Sequence, residues 1–87
     1  KPHPNADRLV VLRVDIGEPE ERQVVAGIRQ WWTTEDLVGR RIIVAANLKP
    51  ARLRGVESRG MLLAVKGSER VELLTVEGEI APGTRVT

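Results

Sequence analysis

Residues 9–16 read LVVLRVDI and residues 22–26 read RQVVA. In the first run Val10, Leu12, Val14 and Ile16 alternate with Leu9, Val11, Arg13 and Asp15. That period-2 pattern, rich in β-branched side chains, predicts a strand. Between the two runs stands GEPEE at 17–21, where Gly17 frees φ and Pro19 has no N–H to give a ladder. The two runs therefore predict a β-hairpin and place the chain among β proteins.

Working outward, the pattern changes after Gly27. Trp31 and Trp32 precede TTEDLVG at 33–39, and this spacing predicts a short helix of about one and a half turns. Thr33 is its N-cap, Asp36 completes a loose capping box at N3, and Trp32 faces Leu37 across a hydrophobic staple. Gly39 ends it. On this reading the tryptophans serve packing rather than base stacking. The apolar run IIVAA at 42–46 predicts a short strand buried on both faces, and Asn47-Leu48-Lys49-Pro50 breaks it. Residues 51–56 and 61–65 predict two more strands flanking a polar connector, Glu57-Ser58-Arg59-Gly60, whose glycine is free to adopt positive φ. VELLTV at 71–76 predicts the last strand, and Ala81-Pro82-Gly83-Thr84 a closing turn.

Five or more short strands around one short helix fit a small Greek-key barrel better than a sandwich. Only two strands precede the helix, so the first strand of such a barrel is expected upstream of Lys1. The 87 residues make one domain, 1–87, with a thin core. Its apolar fraction of 41% is Val, Leu, Ile and Ala, with two Trp and no Phe or Tyr; an aliphatic, β-branched core suits strands.

The chemistry-bearing residues are few. No cysteine is present, which rules out disulfides, thiolate metal sites and cysteine redox chemistry. The sole histidine, His3, lies between Pro2 and Pro4; alone it cannot build a zinc site, and its expected role is to orient the turn into the first long strand. Asp7 and Asp15 are too far apart to act as a carboxylate pair, Ser58 has no base nearby in sequence, and neither a G-x-S-x-G elbow nor a phosphate-binding loop occurs. No catalytic constellation, cofactor or metal is expected. No apolar run approaches the roughly 20 residues of a membrane span, and a cytoplasmic location is the expectation.

Charge is unevenly spread under a net +2. Between residues 37 and 66 stand Arg40, Arg41, Lys49, Arg52, Arg54, Arg59 and Lys66 against the single acid Glu57. Such a basic region attracts a polyanion locally; the same residues serve equally well as edge charges that block aggregation. Within it, NLKPARLRGVESRGM at 47–61 combines three arginines and a lysine with Asn, Ser and Gly. Arginine forks match phosphate oxygens and lysine adds a point charge. Single strands are held by aromatic platforms, which these strands lack, whereas folded RNA is read through shape, phosphate and 2′-OH.

Three stretches carry a resemblance: HPNADRL at 3–9, VAANLKP at 44–50 and LRGVESRGML at 53–62. Together they resemble the tRNA-binding domain appended to bacterial methionyl-tRNA synthetases, which also occurs in free-standing tRNA-binding proteins and cytokine-like synthetase cofactors. The resemblance implies an OB-fold, non-catalytic binding of folded tRNA with little preference among species, a homodimer, and contact with a synthetase catalytic domain. By position it puts Asn5, Arg54, Ser58 and Met61 on the tRNA-binding face. Charge and expected placement add Arg8, Arg13, Lys49, Arg52 and Arg59. Core packing is the competing expectation for Met61 and Val56, and a turn-capping role for Asn5. The rival readings are a protein-interaction or dimerisation module whose basic face is incidental, and a chaperone-like homodimer.

Overall fold

The computed structural model describes residues 1–87. The expected hairpin is present: β1 (Val10–Val14) pairs antiparallel with β2 (Arg22–Ala26), Val10 facing Ala26, Leu12 facing Val24 and Val14 facing Arg22. Val10 and Val24 are the most deeply buried large side chains of the protein. Chain order continues with α1 (Thr34–Leu37), β3 (Val44–Ala45), β4 (Ala51–Leu53), β5 (Val56–Ser58), β6 (Met61–Leu62), β7 (Ala64–Lys66) and β8 (Val71–Leu73). The class is thus nearly all-β with one short helix.

The ladders join strands two by two: β1 with β2, β3 with β6, β4 with β5, β7 with β8, and no sheet closes on itself. Single backbone bonds then link the pairs, from Arg59 N–H to the Gln23 carbonyl (2.8 Å), Leu63 N–H to Ile43 (2.9 Å) and Leu74 N–H to Leu63 (3.3 Å). The centre of the core is Val10, Ala26, Ile28 and Trp32, with Leu12, Trp31, Leu37, Leu62, Val71 and Leu73 packed against it. Trp32 is therefore core, as its staple position suggested.

The helix follows its capping signals. Thr33 Oγ1 accepts the Asp36 N–H and the Asp36 carboxylate accepts the Thr33 N–H, each at 3.2 Å; Val38 then turns extended and Gly39 adopts φ +78°. Hydrogen bonds from the Thr33 backbone, then its hydroxyl, hold the Asp36 carboxyl below the usual aspartate range, with Arg40 and Arg70 assisting. A depressed carboxyl contributes stability that is complete above its unfolded pKa and is lost as pH falls through the folded one. Acid titration followed by NMR is expected to release the Thr33 and Asp36 amides together, below the ordinary aspartate range; release at higher pH would contradict the box.

Several strand expectations are corrected, among them the single strand at 61–65, which is divided into Met61–Leu62 and Ala64–Lys66. Residues 42–46 give only the two-residue strand Val44–Ala45, and all five residues are half-buried. Burial on both faces needs layers on both sides, and a domain with 10 buried residues of 87 has no second layer to offer. Likewise, the connector lies not at 57–60 but at Arg54-Gly55: Leu53 pairs with Val56, Arg52 with Glu57 and Ala51 with Ser58. Arg54 (φ +55°) and Gly55 (φ +88°) both take positive φ, the requirement of a two-residue type I′ turn. Gly60 is not among the positive-φ residues. A Cβ there would lie 3.1 Å from Val44 Cγ1 and 3.2 Å from the Ala45 carbonyl, a tight fit that close strand approach makes easiest for glycine. The final strand stops at Leu73 rather than Val76.

The closing turn forms as expected, with Thr84 N–H donating to the Ala81 carbonyl (3.2 Å). It lies back to back with Gly17. A Cβ on Gly17 would sit 2.8 Å from the Pro82 carbonyl oxygen, and one on Gly83 would collide with the Ile16 carbonyl. Both glycines also hold positive φ.

Candidate nucleic-acid interface

The tip of the β4–β5 hairpin is held from below by the N-terminal segment. His3 is only 3% exposed. Its Nδ1 accepts the Asn5 N–H (2.9 Å), which leaves Nε2–H to donate to the Leu53 carbonyl (2.7 Å). Asn5 Nδ2 donates to the Arg54 carbonyl (3.3 Å), and Arg52 Nη1 to the Gly55 carbonyl (2.7 Å). The side chains of three residues, His3, Asn5 and Arg52, thus fix a turn that carries the exposed Arg52 and Arg54. Asn5 acts as a local brace, bonded to Arg54 at the tip.

Ser58 behaves differently from an exposed contact. It is 4% exposed; its hydroxyl accepts the Val25 N–H and donates to the Gly60 carbonyl, each at 3.0 Å. Gln23 Nε2 adds a bond to the Glu57 carbonyl (2.8 Å). Two side-chain bonds and the single backbone bond from Arg59 N–H to the Gln23 carbonyl, rather than a ladder, therefore tie β5 to β2, and Ser58 sets where the hairpin stands. Met61 is 56% exposed and is not core; its neighbour across the ladder is Ala45. Val56 is half-buried opposite Leu53.

The three ion pairs are Arg22–Glu18 (2.7 Å), Arg70–Glu72 (3.4 Å) and Arg41–Glu79 (4.0 Å). None involves Arg8, Arg13, Lys49, Arg52, Arg54 or Arg59, and all six are exposed. Unpaired, exposed cations are free to meet phosphate without first losing a carboxylate partner.

The basic stretch at 37–66 does not stand in one place. Arg40 leans on Trp32, with its guanidinium carbon 4.7 Å from the ring centroid, and Arg70 does so at 4.5 Å. Arg41 pairs with Glu79. Arg59 lines an open cleft of about 380 Å³ with Glu18, Glu20, Glu21 and Arg22, and Arg22 Nη1 clips this corner to the Ala46 (2.5 Å) and Arg59 (3.2 Å) carbonyls. Contiguity in sequence is not contiguity in space here, because the segment passes through α1's exit, β3 and a hairpin on its way.

Sequence reasoning passed over Arg29. It is exposed, enters no ion pair, and lines a smaller cleft with Pro2, Val10, Trp32, Thr33 and Thr34. Its position between buried Ile28 and the Trp pair was the available signal. Gln23 and Arg22 were likewise unremarkable in sequence and turn out to be cross-strand ties. No three His, Cys, Asp or Glu side chains converge on a point suited to a metal.

Comparison with known proteins agrees with this architecture. The family described as putative tRNA binding domain matches residues 1–85. A methionine–tRNA ligase of Thermotoga maritima is 54% identical over 84 residues, spanning 97% of this chain but 13% of the ligase. Among solved structures, a MetRS-related protein from Pyrococcus horikoshii superposes with a TM-score of 0.89 at 38% identity, covering 100% of this chain and 80% of that one. The chaperone CsaA from Bacillus anthracis superposes at 0.84 with 30% identity, covering 94% and 79%. With the family matched over residues 1–85 and a ligase domain 54% identical along nearly the whole chain, the chain belongs to the tRNA-binding domain family and is homologous to the corresponding part of methionine–tRNA ligases.

Proposed function

We propose that this chain is a non-catalytic module that strengthens an aminoacyl-tRNA synthetase's hold on folded tRNA, the parent being a methionyl-tRNA synthetase. The observation that supports it is the braced hairpin tip: Arg52 and Arg54, exposed and without carboxylate partners, on a turn fixed by His3 and Asn5. Arg8, Arg13, Lys49 and Arg59 are further phosphate contacts in this reading, Met61 an apolar contact, and Ser58 the residue that sets the hairpin's position. The four strand pairs are read as staves of an OB-type Greek-key barrel, and the location as cytoplasmic.

Arg54→Asn tests the reading, because charge and backbone respond in opposite directions. A left-handed conformation costs a non-glycine residue roughly 1–2 kcal/mol, and Asn-Gly is a favoured type I′ pair. The variant is expected to melt at the same temperature or higher. Its tRNA affinity is nevertheless expected to fall about five- to tenfold, with the salt dependence shallower by about one ion. Fluorescence titration at several salt concentrations measures both; unchanged affinity and slope would remove Arg54 from the interface.

A second copy of the chain is a further partner, supported by the exposed apolar side chains Val65, Leu74, Val76, Ile80 and Val86. The similarity to the chaperone CsaA supports the alternative of a chaperone-like protein. Sedimentation with and without tRNA separates the two: a dimer that ignores tRNA at low salt supports the interaction module, and tRNA-bound species support the proposal.

A further inference from the structure

We propose that His3 is a positioning residue for RNA binding, joining two links that keep the arginine hairpin in its binding orientation. This rests on the hairpin being the tRNA contact. The imidazole is nearly fully buried and both nitrogens are committed, one to the Asn5 N–H and the other to the Leu53 carbonyl. Each of those partners reaches the turn. Leu53 is the last residue of β4, and Asn5 passes the restraint on through its amide to the Arg54 carbonyl. The imidazole therefore holds the hairpin at two successive residues, from a segment 49 or 50 positions away in sequence.

That arrangement matters because the β4–β5 pair has little else beneath it. All three residues of β4 are exposed, as are Arg54 and Gly55. A two-stranded hairpin is marginal on its own, so its direction depends on side-chain ties: Ser58 and Gln23 at the β5 base and His3 at the tip. A phosphate contact by Arg54 is only as strong as the restraint on the turn that presents it, since an unrestrained side chain loses entropy on binding.

The two imidazole bonds can be cut separately. In His3→Asn the Oδ1 stands where Nδ1 was and still accepts the Asn5 N–H, as in an Asx-turn, but nothing reaches Leu53. In His3→Gln the amide reaches Leu53 and the acceptor for Asn5 is lost. Each variant is to be combined with Arg54→Ala and titrated with tRNA at several salt concentrations, alongside thermal melting.

His3→Asn is expected to weaken binding about fivefold, the value of one net hydrogen bond, with an unchanged salt slope because no phosphate-facing cation is removed. In the Arg54→Ala background the same substitution is expected to have a clearly smaller effect on affinity, only Arg52 remaining on the turn, since residues acting through one another are non-additive. A general loss of stability would instead weaken both backgrounds alike. Parent-like binding by His3→Asn, or a loss that persists undiminished without Arg54, would overturn the inference. If Arg54→Ala itself left affinity and slope unchanged, the hairpin reading would fail and take the inference with it. Should His3→Asn not fold, His3→Gln carries the same cycle with a smaller, still Arg54-dependent loss.

Discussion

Trp32→Ala is expected to lose about 3–5 kcal/mol of folding stability, the usual cost of emptying a buried aromatic site. Small domains hold roughly 5–15 kcal/mol in all, so much of the chain would unfold on modest heating. The indole is 8% exposed, sits among Val10, Ala26 and Ile28, and donates Nε1–H to the Val71 carbonyl at 2.9 Å. It thereby joins the first hairpin to β8, with Arg40 and Arg70 against its ring. At about 4–8 °C per kcal/mol for a domain of this size, the melting temperature is expected to drop by about 12 °C or more. Trp31→Ala, at the half-buried neighbour, is expected to cost much less. Equal losses in circular dichroism melts of the two variants would show that Trp32 is not the central plug of the core.

Ser58→Ala is the second large effect, and it reaches further into function. Removing the hydroxyl leaves the Val25 N–H buried without an acceptor, since Ser58 Oγ is its partner at 3.0 Å. An orphaned buried donor costs about 1–3 kcal/mol. The same change loosens β5 against β2, leaving the Gln23–Glu57 bond and the backbone bond from Arg59 N–H to the Gln23 carbonyl. The expected result is a lower melting temperature together with weaker tRNA binding at an unchanged salt slope, because no charge has been removed. Full affinity at reduced stability would separate the hairpin's position from binding. Lost affinity at full stability would instead make the hydroxyl a direct contact with RNA.

How far the sequence carries depends on what each signal encodes. The β1–β2 hairpin and the capped helix were legible because alternation and capping are local rules, written within a few residues. The strand at 42–46 was overestimated because an apolar run does not say how many layers will cover it. The hairpin turn was misplaced for a different reason: Arg-Gly is not among the usual type I′ pairs, so the polar run at 57–60 looked the better connector. For the interface, Asn5 and Arg54 were named from resemblance, and the tip that joins them is a tertiary fact, since bonds spanning 49 positions leave no local trace. The cationic stretch illustrates the converse, as neighbours along the chain are parted by the fold.

The back-to-back glycines have a consequence for how the molecule is made. Ile16 and Gly17 belong to the β1–β2 hairpin, yet the backbone they rest against arrives more than 60 residues later in synthesis, with Pro82 and Gly83. Until then that corner has no cover, so a nascent or prematurely truncated chain would present an open flank at the hairpin's mouth to chaperones and proteases.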